Sequence, residues 1–62
     1  MSALYTLGVW IEHPDGSRTH EVVNDDWRLP FDMADTKAAA LNGTIPGRTY
    51  HALNVNDIQG VA

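Results

Sequence analysis

The side chains able to do chemistry are three imidazoles, His13, His20 and His51, a cluster of carboxylates, and a few large rings. Three histidines can hold a zinc ion if their nitrogens converge on one point. Asp25, Asp26, Asp32 and Asp35 form the densest acidic region, and paired carboxylates can move protons or bind a divalent cation. Trp10, Trp27 and Tyr50 offer a different chemistry. Trp and Tyr concentrate binding energy in buried contact patches, and flat rings on an open sheet can also stack on bases. Which of these is realised depends on the elements that carry the residues.

The first element is a β-hairpin over residues 3–23. Alternating runs flank His13-Pro14-Asp15-Gly16. Pro14 pre-sets φ for the first central turn position, Asp15 caps the turn locally, and Gly16 accepts positive φ. A type I turn with Gly16 as the bulge residue sets His13 opposite Ser17. The pairs that follow are Glu12–Arg18, Ile11–Thr19, Trp10–His20, Val9–Glu21, Gly8–Val22 and Leu7–Val23. Tyr5, Leu7, Val9 and Ile11 then share the core face. A slip of one residue would expose all of them, which specifies the register.

A helix is expected over residues 32–42. Asp32 reads as its N-cap and Asp35 as the acid of a capping box. Phe31, Ala34, Ala38, Leu41 and Ile45 recur at helical spacing as one apolar stripe. Asn42-Gly43 stops the helix, with Gly43 suited to a left-handed position. After the Pro46-Gly47 turn, residues 48–55 read as a third strand. Its core side is assigned to Leu53 and Val55, with Thr49 and His51 on the same face and Tyr50 on the other. Residues 56–60 read as a loose tail, and residues 59–62 as frayed.

The order strand, strand, helix, strand makes one α+β domain spanning residues 1–62. A right-handed crossover from the second strand to the third suits parallel placement of those two, and the simplest packing puts the first between them. The expected sheet is three-stranded, antiparallel or mixed, in the order 2-1-3, with the helix on one face. The other face is left uncovered and carries Trp10 and His20, with Gly8 beside them, and Tyr50.

This layout decides among the chemistries. His13 lies at the turn, His20 faces Trp10 and His51 falls on the opposite sheet face, so no metal site is expected. Asp32 and Asp35 are explained by capping, and Asp25-Asp26 by a solvated connection. Ser2 and Ser17 are terminal and turn residues, and no glycine-rich phosphate loop is present. No catalytic residue, no cofactor and no enzymatic activity are expected. Trp27 reads as cover for a core edge. Trp10 reads as a contact residue, because its face has no helix over it.

Composition narrows the partners. The net charge is −4, and Arg18, Arg28, Lys37 and Arg48 are scattered. Phosphate binding rests on clustered cations, so nucleic acid is disfavoured. There is no cysteine to staple a small core, and a chain this short buries only about 60% of its unfolded surface. A partner or a second copy is one way to complete it. No apolar run approaches a membrane span, and residues 1–5 carry no leader signature, so the expected location is the cytoplasm. Asn42-Gly43-Thr44 fits a glycosylation pattern, which that location leaves unused.

The segment Phe31-Asp32 … Ala38-Ala39-Ala40-Leu41-Asn42 … Pro46-Gly47-Arg48-Thr49-Tyr50 resembles short accessory proteins encoded by bacteriophages of actinobacteria. The likeness covers about the last half of the chain and loosely the hairpin, and its motifs are structural. It implies a non-enzymatic protein that binds a host or phage protein. The expected contact residues are Trp10, Arg18, His20 and Tyr50, serving a protein partner or self-association. The alternative is a nucleic-acid-binding sheet, with Trp10 and Tyr50 on bases and Arg18 and Arg48 on phosphates, or an acidic mimic of DNA.

Overall fold

The computed structural model describes residues 3–61. Ala62, the end of the tail expected to fray, lies outside the described residues, as does Ser2. Strand β1 (Tyr5–Glu12) pairs antiparallel with β2 (Arg18–Val22) on one side and with β3 (Arg48–Asn54) on the other. The sheet order is β2-β1-β3, and helix α1 (Phe31–Leu41) crosses from β2 to β3 over one face. This is the α+β arrangement read from the sequence. No helix among the described residues is long and apolar enough to cross a membrane.

The hairpin forms in the expected register, from Glu12 opposite Arg18 to Gly8 opposite Val22. The turn explains why. The Gly16 amide donates to the His13 carbonyl at 2.9 Å, and Gly16 sits at φ 87°. The Asp15 carboxylate accepts from both the Ser17 amide, at 2.9 Å, and the Ser17 hydroxyl, at 2.6 Å. Those two donors hold the Asp15 carboxyl below its ordinary value, because they favour its charged form.

The helix begins one residue earlier than expected. Pro30, at φ −58° and ψ 152°, occupies the N-cap, with no side-chain cap. Asp32 therefore lies inside the first turn, where its charge suits the helix dipole rather than an orphan amide. Gly43 takes φ 88° just past the helix end. The apolar stripe is buried only in its middle, at Ala34 and Ala38, while Phe31 and Ile45 at its ends are exposed.

The third strand is turned over relative to the sequence reading. Tyr50 lies opposite Val9 and Ala52 opposite Leu7, so both face the helix. Tyr50 is buried with Leu7, Val9, Ala34 and Ala38. The physical reason is volume. Two alanines leave room above the sheet that Leu53 alone would not fill, and close packing rewards the larger ring. Tyr50 is thus a core residue and not a contact residue. Thr49, His51 and Leu53 pass to the far face.

That far face is also less open than expected. The chain beyond β3 forms a 3₁₀ helix, Val55–Gly60, capped by the Asn54 side chain, which accepts from the Asn56 amide at 2.9 Å. Its last residue, Gly60, shares a groove with Trp10, His20 and Val22. Thr6 and Leu53, which face each other on this side, are buried. The Thr6 hydroxyl donates to the Asn24 carbonyl. Trp27 packs against the edge of the helix-side core, as its sequence position suggested, with the Lys37 ammonium 5.5 Å from its ring centroid.

The two outer edges of the sheet differ. On β3, the Asn42 amide accepts from the Tyr50 N–H at 2.6 Å and donates to the Tyr50 carbonyl at 3.0 Å. A side chain from the helix end thereby occupies both outward backbone groups of one strand residue. On β2, the His13–Ser17 and Leu7–Val23 hydrogen bonds fix the alternation. It turns the peptide groups of Arg18, His20 and Val22 away from β1.

Candidate functional site

Four side chains meet on the far face, contributed by all three strands. Trp10 of β1 stacks on its cross-strand partner His20, with centroids 4.3 Å apart and planes 7° from parallel. Arg18, two residues before His20 on β2, holds its guanidinium carbon 4.9 Å from the Trp10 centroid. His51 of β3 completes the row, its ring 4.9 Å from that of His20 and tilted by 32°. Trp10, His20 and His51 are half-buried and Arg18 is exposed.

Gly8 makes the His20–His51 contact feasible. It lies on β1 between the strands that carry the two histidines, opposite Val22 on one side and His51 on the other. A Cβ at Gly8 would stand 2.5 Å from His51 Nε2 and 3.0 Å from His20 Nε2. The missing side chain is the space in which the rings touch.

The two Nε2 atoms are 2.8 Å apart. Their protonation follows from the neighbours. His51 Nδ1 lies 3.2 Å from the Ala52 carbonyl, which can only accept, so Nδ1 carries a proton. In neutral His51 the lone pair is then on Nε2, and His20 Nε2–H donates to it. If both Nε2 atoms carried protons, neither could accept, and the contact would break. Burial, and secondarily the nearness of His51, holds the His20 imidazole below its ordinary value.

Of the expected contact residues, Trp10, His20 and Arg18 come together, and Tyr50 does not. Alternation in the sequence puts His51 on the opposite sheet face; in the structure it joins His20 on one face. The signal that could have found it is Gly8, since a glycine inside a strand marks a close approach from above. His13 stays apart at the turn, its Nε2 2.8 Å from the Thr19 hydroxyl. Among the described residues no group of three or more His, Cys, Asp or Glu side chains is placed to hold a metal ion.

No family model, curated protein or solved structure matches the chain.

Proposed function

We propose that this chain is a small non-enzymatic protein-interaction module that binds through the Trp10 face of its sheet, acting in the cytoplasm on a host or phage protein or on a second copy of itself. The observation that carries this reading is the Arg18–Trp10–His20–His51 row. A tryptophan held by its neighbours loses little rotamer freedom on binding, and such preordering is what makes a ring an effective anchor. The short accessory proteins of actinobacterial phages that the sequence resembles suggest the setting.

The nucleic-acid reading is less well supported. It needs two exposed rings to stack bases, and Tyr50 is in the core. The net charge of −4 also repels phosphate.

The test is Trp10→Ala, checked for a native circular dichroism spectrum. Sedimentation should show loss of any self-association, and capture from host lysate should lose its stoichiometric protein partner, with nuclease making no difference. Unchanged mass and unchanged capture would sink the reading. Capture that vanishes on nuclease treatment would favour the nucleic-acid alternative.

A further inference from the structure

We infer that His20 and His51 form a two-imidazole binding site for a late first-row transition-metal dication, Cu(II) before Ni(II) or Zn(II), with solvent completing the coordination. This goes beyond the protein-contact reading and stands without it.

Three observations carry it. The first is the spacing of 2.8 Å between the two Nε2 atoms. With metal–nitrogen bonds of about 2.0 Å, a right-angled edge spans about 2.8 Å and a tetrahedral edge about 3.3 Å. The pair therefore matches the cis edge of a tetragonal site better than a zinc tetrahedron. Cu(II) also heads the affinity order for nitrogen ligands.

The second is the outer contact of His51. Its Nδ1–H donates to the Ala52 carbonyl at 3.2 Å, the arrangement by which ligating histidines are oriented with the far nitrogen bare. The third is access. Gly8 lets both rings lie against the strand with their Nε2 atoms together, and both histidines are half-buried rather than buried, which leaves them within reach of an ion from solvent. On binding, each ring swings so that both lone pairs meet off the line between the nitrogens. The Nε2 proton of His20 leaves to solvent while His20 Nδ1 takes one up, so the ring stays neutral with its Nε2 lone pair on the metal, and no redox step is involved.

Trp10 supplies the readout, since its ring lies 4.3 Å from that of His20 and a bound paramagnetic ion quenches it. The protein carrying Trp27→Phe, so that only Trp10 emits, would be titrated with copper sulfate at pH 7.5 in a non-chelating buffer. Saturable quenching at one equivalent is expected. His20→Gln and His51→Gln should each weaken it by about tenfold or more, as loss of a ligand must exceed the 10–100-fold typical of outer contacts. His13→Gln should leave it unchanged. Quenching that survives both His20→Gln and His51→Gln, or that disappears with His13→Gln, overturns the site. Should a variant fail to fold, electron paramagnetic resonance on the protein with native histidines decides. Hyperfine coupling to two equatorial imidazole nitrogens supports the proposal, and one or none overturns it.

Discussion

The two faces of the sheet are built on opposite rules. Under the helix, Leu7, Val9 and Tyr50 meet Ala34 and Ala38 in a compact apolar layer. On the far side, Trp10, His20, His51 and Arg18 lie ring against ring and charge over ring, with the 3₁₀ helix beyond them. The first arrangement gains from excluding water wherever volume is filled. The second gains from particular pairs, each of which depends on orientation and protonation. Stability therefore belongs mainly to the helix face, and recognition to the face whose groups remain half-exposed.

The sharpest break in that comparison is Leu7→Ala. Leu7 is fully buried, and truncation at such a site costs about 2–5 kcal/mol. A domain of this size has about 3–9 kcal/mol in total. Urea unfolding should show a loss of about 2–5 kcal/mol, a large share of the total; a shift below about 1 kcal/mol would contradict the assignment of the core.

Gly8→Ala attacks the far face. Its Cβ meets His51 Nε2 at 2.5 Å, and such overpacking costs about 1–3 kcal/mol. His51→Ala in the same chain should restore much of the loss, because it removes the clashing ring. Additive costs in the double variant would show that the glycine is needed for another reason.

Asn42→Ala removes both side-chain hydrogen bonds to Tyr50 and should cost about 1–2 kcal/mol. It should also increase self-association in sedimentation, since it frees the β3 edge. A destabilised chain with unchanged mass would confine Asn42 to a purely internal role.

The smallest effect is that of pH. His20 is held below its ordinary value of 6.5, so the unfolded chain binds its proton first. Stability from this group is full above about pH 6.5 and falls as pH drops toward the lower folded-state value. Thermal melts from pH 7.5 to pH 5, with a chelator present, should show this decline, and His20→Gln should flatten it. An identical slope in the variant would place the proton uptake elsewhere.

Much of the fold was legible because its strongest signals are local. Pro14, Asp15 and Gly16 dictate one turn, and that turn fixes five strand pairs. The order of the strands followed from the simplest packing of two parallel strands joined by a crossover, with the first strand between them. What failed was the phase of β3. Apolar residues stand at both parities, Tyr50 and Ala52 against Leu53 and Val55, so alternation alone cannot choose a face. The choice is made by tertiary volume over Ala34 and Ala38, which no local pattern encodes. The same error placed His51 on the wrong face and Tyr50 on the contact surface. The helix start shifted for a simpler reason, since Pro30 can precede a first turn without any capping oxygen. The C-terminal 3₁₀ helix was missed because Val55, Ile58 and Val61 are apolar but too few to show a period.

The Asn42 bridge to Tyr50 has a consequence for growth. A sheet open at both ends can recruit strands head to tail without limit, which is the geometry of a fibril. Here a side-chain amide from the chain's own helix terminus blocks the middle of the β3 edge at Tyr50, while no backbone hydrogen bond among the described residues takes up the outward groups of β2. Two such molecules meeting bare end to bare end consume both and leave only plugged ends outside. Any assembly through the backbone would, by this geometry, stop at a pair.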